Sequence, residues 1–277
     1  MSSYIHGSNP EEQKRLSLLN ELINERCIQL LNLEGGEKII DMGSGLGQFT
    51  LSMARRIGPN GKCLGIERDS HQLETANKNL SKQGGINWVE FRQGDAENMP
   101  LRKDEWNYFD VGHARFVLEH LSKPELALCE LVKAVRPGGR VVLEDDDHVS
   151  LLLYPEPAGF SNLWTAYMRS YDRLGNDPYI GRRMVSLMYD CGLRQIRNNV
   201  VFFGDCAGSA TFNSYVANLV GVIETARKVM TEGNLIRQDV MDESMRNLRE
   251  WAELPYAALW YQIYWAVGFK TAASPVS

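Results

Sequence analysis

The sequence predicts an α/β protein: a doubly wound, mainly parallel sheet of seven strands carrying helical lid elements. Three observations carry that expectation. Short β-rich runs alternate with helix-length segments through the first 150 residues. Three glycines at alternate positions, Gly43, Gly45 and Gly47, stand between the first run and the first crossover helix. An acid, Glu67, closes the second run twenty residues later. Strands spaced by helices imply right-handed crossovers, and hence parallel pairing.

Taken in order, residues 9 to 33 read as a helix. Ser8 or Asn9 can cap it, Pro10 suits its first turn, and Glu11 and Glu12 suit its positive end. Leu16, Leu19, Leu22, Ile23 and Leu30 recur at helical spacing. KIIDM (38–42) is the first strand, and the helix Phe49 to Ile57 stops at Gly58-Pro59-Asn60-Gly61. CLGIE (63–67) is the second strand, followed by a polar helix from Ser70 to Lys82 that ends at Gly84-Gly85. NWVEFRQ (87–93) and YFDVGHA (108–114) are the third and fourth strands. A helix from Lys123 to Val135 ends at Arg136-Pro137-Gly138-Gly139, and RVVLED (140–145) is the fifth strand.

Past residue 150 the alternation weakens. Residues 155 to 178 are rich in Pro, Gly and aromatics, including Phe160, Trp164, Tyr167 and Tyr171. A helix over 180–191 and a strand over 194–203 restore the pattern, and 208–253 read as two more helices. YAALWYQIYWAVGFK reads as the last strand, with a helix as the alternative. The expected organisation is an N-terminal helical segment (1–34) over the ligand site, a nucleoside-binding core (35–150), and a remainder (151–277) with lid insertions at 155–178 and 208–253.

Composition removes several function classes. No apolar run reaches the roughly 18 residues that span a bilayer. The N-terminus carries no signal-peptide pattern, so a soluble cytoplasmic protein is expected. A net charge of -5 without a basic block argues against a nucleic-acid partner. The five cysteines, Cys27, Cys63, Cys129, Cys191 and Cys206, are scattered and form no CxxC pair. Reduced, mostly buried thiols are expected.

Glycines after a first strand let the chain turn sharply and let a ligand approach the backbone. A carboxylate at Glu67 can accept from both hydroxyls of a ribose. A dinucleotide site would place a further glycine where Gln48 stands, and Asp41 would repel a pyrophosphate. The ligand therefore reads as a nucleoside with an amino-acid or cationic tail.

DMGSGLGQF, GIERD, QGDAENMP, FVLEHL and VRPGG together resemble the class I S-adenosylmethionine-dependent methyltransferases, on a Rossmann-like sheet. The similarity is strongest over residues 37 to 147, and within the class it points to the small-molecule branch of ubiquinone and menaquinone biosynthesis. The resemblance implies S-adenosylmethionine as cofactor. It implies that Gly43, Ser44 and Gly45 lay their backbone on the methionine and ribose, and that Asp41 helps to place the methionine amino group. Glu67 would bind the ribose, with Arg68 bordering the adenine. Asp95 and Ala96 would meet the adenine amino group, the backbone of Ala114 or Arg115 the methionine ammonium, and Tyr4 would cap the site. The polar run Gly112-His113-Ala114-Arg115 departs from the usual apolar one and suggests a functional side chain.

Methyl transfer needs alignment and exclusion of water, and a base only if the acceptor must lose a proton. Open parallel sheets bind ligands beyond their strands' C-terminal ends. Asp146 and His148, which follow strand five, are therefore the leading catalytic or anchoring candidates, with His113 next. No metal is expected, because no second ligand group accompanies the cluster. Tyr154, Trp164, Tyr167 and Tyr179 are the acceptor-binding candidates, since aromatic walls suit an apolar or aromatic small molecule. Asn176-Asp177-Pro178-Tyr179 looks like a base-methylating signature but lies after strand five, and reads as a helix start. Two other functions are carried forward: a nicotinamide-dependent oxidoreductase, and a protein that binds S-adenosylmethionine without catalysis. The acceptor, the methylated atom and the oligomeric state, with a homodimer as one option, stay open.

Overall fold

Parallel strands covered on both faces should read as apolar runs, and the first two (KIIDM and KCLGIE) do, whereas the third, VEFRQ, lies at the sheet edge and alternates with polar residues. The computed structural model describes residues 10–84 and 86–271. Its elements are α1 (Pro10–Leu31), β1 (Lys38–Met42), α2 (Gln48–Ile57), β2 (Lys62–Glu67), α3 (Ser70–Lys82), β3 (Val89–Gln93), β4 (Phe109–Arg115), α4 (Pro124–Ala134), β5 (Val135–Asp146) and β6 (Leu152–Tyr154). They continue with α5 (Phe160–Asp172), α6 (Ile180–Asp190), β7 (Leu193–Cys206), α7 (Phe212–Glu232), α8 (Gln238–Ala252) and β8 (Ala258–Lys270).

The sheet runs β3-β2-β1-β4-β5-β8, with β7 on the far side of β8 and the short β6 pairing with β8 beyond the end of β5. Strands β1 to β5 are mutually parallel, and β8 runs antiparallel to β5, β6 and β7. Seven full strands match the expectation; the three-residue β6 is additional. The strand order reverses beside β1, so β1 and β4 open a crevice at their C-terminal ends, the usual ligand position in such sheets.

Alternating side chains divide the core. Ile39, Val111 and Val142 face a cluster completed by α1, α2, α5, α7 and α8. Ile40, Met42, Leu64 and Leu143 face the opposite cluster with α4 and α6. The last segment is a strand, not a helix. Leu259, Tyr261 and Ile263 point inward while Trp260 is 55% exposed, because this end of the sheet is covered on one face only. No helix among the described residues is long and apolar enough to cross a membrane.

One expectation about the cysteines is corrected. Cys129 on α4 and Cys191 just after α6 form a disulfide, with Cα atoms 5.3 Å apart. Both helices pack on the same core cluster, so residues separated by 62 positions meet. Cys27 and Cys63 are free and buried, and Cys206 is exposed.

Candidate functional site

A cleft of about 600 Å³ opens at the ends of β1, β2 and β4. All three loop glycines that line or flank it adopt positive φ: +73° at Gly43, +54° at Gly45 and +74° at Gly47. Space also demands them. A Cβ on Gly43 would lie 2.3 Å from Val117 Cγ2, and one on Gly47 would lie 2.5 Å from Phe91 Cζ. The N–H groups of Gly43 and Ser44 both donate to the Ile66 carbonyl, which pins the loop to the end of β2. Glu67 completes the tie: Oε2 accepts from Gly45 N at 2.8 Å and Oε1 from Asp69 N at 2.8 Å. Burial pushes its carboxyl up, against these backbone donors.

Asp41 lies on the cleft wall, with both oxygens occupied. Oδ1 meets His113 Nδ1 at 2.7 Å, and Oδ2 accepts from Thr50 Oγ1 at 2.5 Å. His113 is fully buried against Phe49, and its Nε2 has no hydrogen-bond partner. Ser44 Oγ and Gln48 Oε1, also on the cleft, share that condition. Arg68, Asp95 and Ala96 line the far end. Asp95 Oδ1 accepts from Glu97 N at 2.9 Å, so it closes a turn while facing the cleft.

Of Ala114 and Arg115, either of which was expected to meet the ligand through its backbone, Arg115 lines the cleft. The Ala114 side chain is buried in the core behind the strand, and Phe116 and Val117 join Arg115 on the cleft wall. Arg115 reaches the cleft, but its guanidinium donates to Asn20 Oδ1 (2.6 Å) and Asn24 Oδ1 (2.9 Å) and lies 3.9 Å over the Phe49 ring. Its polar head thus clamps α1 onto the sheet. Tyr4 lies outside the described residues.

A second chamber of about 80 Å³ adjoins the first, and Leu19, Phe116 and His120 line both. Aromatics from α5 and β8 (Trp164, Tyr167, Tyr171, Tyr261) form its walls around Glu119, Asp146 and His148. Glu119 Oε2 lies 3.2 Å from His148 Nε2, and Oε1 lies 3.4 Å from His120 Nε2. His148 Nδ1 meets the Tyr261 hydroxyl at 3.0 Å, and Trp164 Nε1 donates to the His148 carbonyl at 2.7 Å. Trp164, Tyr167 and Tyr171 set their rings edge-on around the imidazole at 5.1–5.5 Å.

Burial alone would raise the Glu119 carboxyl, but His120 and His148 outweigh it and hold it at about 2. Burial opposes the charged form of His148, yet Glu119 pushes its imidazole up. Burial, with Glu119 beside it, pushes Asp146 up to about 7. Burial holds His120 down.

Of the sequence candidates, Asp146, His148, Trp164 and Tyr167 meet in this chamber. His113 does not; it belongs to the cleft, paired with Asp41. Tyr154 is 72% exposed on β6, because its side chain falls on the uncovered face of the sheet. Tyr179 packs against Arg182 and lines neither chamber. The Asn176–Tyr179 run is a helix start: Asp177 Oδ1 accepts from Tyr179 N at 2.9 Å. Its backbone also joins the two chamber loops, through Asp177 N to Glu119 O and His148 N to Pro178 O. Sequence reasoning missed Glu119, His120, Tyr171 and Tyr261 as chamber residues. The available signal was that Glu119 follows β4, the strand beside β5.

The family description "methyltransferase domain" matches residues 33–174. A 37.1 kDa protein of transposon Tn4556 from Streptomyces fradiae is 30% identical over 166 residues, covering 60% of this chain and 46% of the relative. Demethylmenaquinone methyltransferase of Desulfitobacterium hafniense is 27% identical over 152 residues, covering 52% of this chain and 59% of the relative. The chain thus spans about half the length of these curated relatives. A crystal structure from Bacillus halodurans, described as that of a methyltransferase, superposes with a TM-score of 0.59 at 16% identity, covering 90% of this chain and 99% of that one, and so shares its fold. With the family description covering just over half of the sequence, the chain belongs to the class I S-adenosylmethionine-dependent methyltransferases.

Proposed function

We propose that the chain transfers the methyl group of S-adenosylmethionine to a small, apolar or aromatic metabolite. The observation that carries this reading is the pair of adjoining chambers: a polar, glycine-floored cleft and an aromatic chamber with a charged end, sharing Leu19, Phe116 and His120. The cleft fits the cofactor. Its backbone comes close at Gly43 to Gly45, Glu67 stands at the end of β2, and three buried polar atoms (Ser44 Oγ, Gln48 Oε1, His113 Nε2) await partners. A nicotinamide dinucleotide fits less well, because Asp41 and Gln48 stand where its pyrophosphate and last glycine would be.

In this reading Glu67 holds the ribose, Arg68, Asp95 and Ala96 border the adenine, and Ser44 with the Asp41–His113 pair faces the amino-acid tail. Bound S-adenosylmethionine supplies a methyl group already activated on a sulfonium. The chain's own contribution is alignment and exclusion of water. Trp164, Tyr167, Tyr171 and Tyr261 enclose the acceptor, and Asp146 and His148 anchor its nucleophilic group. Helices α1, α5, α7 and α8 act as the cover. Relatives named for demethylmenaquinone agree with an aromatic acceptor.

The test is a panel of small aromatic and apolar acceptors incubated with methyl-labelled S-adenosylmethionine, read by mass spectrometry. Labelled product is expected, together with binding of S-adenosylhomocysteine. Binding without transfer across the panel would favour a non-catalytic role, and tight NAD binding without S-adenosylhomocysteine binding would overturn the cofactor.

A further inference from the structure

We propose that the charged end of the acceptor chamber is a site for one divalent first-row metal ion, held by Glu119, Asp146 and His148. The inference rests on the reading of this chamber as the acceptor site and specifies how the acceptor is held. The sequence shows only the ligands after β5. The sheet supplies the third from the end of β4, its neighbour.

The geometry suits one ion. One ligand atom from each residue can be chosen so that all three lie within 4.8 Å of one another. Carboxylate oxygen and imidazole nitrogen bind such ions at about 2.0–2.2 Å, which puts adjacent ligands of an octahedral ion roughly 3 Å apart. The 3.2 Å between Glu119 Oε2 and His148 Nε2 matches that edge. Asp146 supplies the second, independent sign: its Oδ1 is buried and accepts no hydrogen bond, although Tyr261, His148 and Arg15 line the same chamber. A cation between the three would occupy it.

The surroundings are those of a ligand set. The Tyr261 hydroxyl holds His148 by its other nitrogen at 3.0 Å, leaving Nε2 aimed at Glu119. Two carboxylates and one imidazole suit Mn²⁺, Fe²⁺ or Zn²⁺ better than a soft ion. Three protein ligands leave coordination positions open, and they open into the aromatic chamber. An acceptor carrying a hydroxyl, such as a phenol, fits there through its oxygen. Its O–H proton leaves to water, eased by the cation. The oxygen then forms the bond to the methyl carbon as the carbon–sulfur bond breaks, and the electron pair stays on sulfur. On this account no side chain has to serve as base.

The probe is Mn²⁺ alone, titrated into the full chain and followed by electron paramagnetic resonance, with and without S-adenosylhomocysteine. One Mn²⁺ per chain is expected, with affinity falling at least tenfold in both Glu119→Gln and Asp146→Asn. S-adenosylhomocysteine binding, which does not use these side chains, reports that each variant is folded. If Glu119→Gln does not fold, Asp146→Asn and His148→Gln carry the comparison. A wild-type chain that binds S-adenosylhomocysteine but not Mn²⁺, or Mn²⁺ affinity unchanged in the variants, would overturn the site. Failure to bind S-adenosylhomocysteine would instead remove the methyltransferase reading beneath it.

Discussion

Glu67 Oε2 accepts the backbone N–H of Gly45 at 2.8 Å, so the acid that closes β2 also holds the glycine loop. Its other oxygen accepts from Asp69 N. One side chain thus joins three pieces of the cleft and still faces it. Glu67→Ala should weaken S-adenosylhomocysteine binding at least tenfold. Charge-assisted hydrogen bonds are worth about 1.5–3 kcal/mol each, and ~1.4 kcal/mol is tenfold in affinity. Calorimetry on the folded variant checks this; unchanged affinity would take Glu67 out of the ribose site.

The loop glycines are not equivalent. A Cβ at Gly47 meets Phe91 and Ala76 at 2.5 and 2.9 Å, whereas one at Gly45 meets only Gln72 Oε1, at 3.2 Å. Both positions carry the cost of positive φ, about 1–2 kcal/mol for an L-residue. Gly47→Ala should therefore lower stability by a further ~1–3 kcal/mol relative to Gly45→Ala. Denaturant midpoints with a common slope would show it, and equal losses would contradict it.

Arg115 is the nearest cation to a buried acid. Glu144 is wholly inaccessible, both its oxygens lack hydrogen-bond partners, and Arg115 Nη1 stands 4.0 Å away. Arg115→Ala would strand that carboxylate and release Asn20 and Asn24 of α1. A loss of about 3–5 kcal/mol is expected. Adding Glu144→Gln should recover part of it, whereas simple addition of the two single losses would show that the charges are not coupled.

Much of this was legible in sequence. Strands β1, β2 and β5 declared themselves by short apolar runs, β3 and β4 by their place between helix-length segments, and the glycine loop with Glu67 named its ligand class. Glu119 was not legible: FVLEHL served only as one motif of the resemblance, and only the adjacency of β4 and β5 brings Glu119 to His148, 29 residues on. Tyr154 misled in the opposite way. An aromatic near the lid looks like a pocket wall until the strand's alternation turns it to solvent. The Cys129–Cys191 pairing depends on two helices sharing one face, which spacing alone does not encode.

Acid stability should depend on Glu105. Arg92 grips it with two bonds, of 2.7 and 3.0 Å, and holds its carboxyl down at about 2 from an ordinary 4.5. A lowered folded-state pKa gives stability that is full above pH 4.5 and is lost as pH falls toward 2. The contribution is on the order of 3 kcal/mol. Glu105→Gln should flatten the stability profile between pH 4.5 and 2 and lower its neutral plateau. A profile parallel to the wild type would assign the acid limb to other groups.

Chamber and surface tyrosines and tryptophans should separate in kinetics. Trp164 is 7% exposed, stacks on Tyr167 at 4.7 Å and donates to the His148 carbonyl, so it shapes the wall and the loop behind it. Trp164→Leu keeps an apolar side chain but removes the ring face and the donor. The acceptor KM should rise roughly two- to tenfold, the loss of ~0.5–1.5 kcal/mol of contact expected from an aromatic pair. S-adenosylhomocysteine affinity should stay near wild type, because Trp164 does not line the first cleft. Tyr154 is 72% exposed, and Tyr154→Ser should leave stability within about 0.5 kcal/mol and both constants unchanged. Steady-state kinetics on the two variants with one acceptor decide the matter. A raised KM in Tyr154→Ser with a normal one in Trp164→Leu would move the acceptor from the enclosed chamber to the open face of β6 and β8.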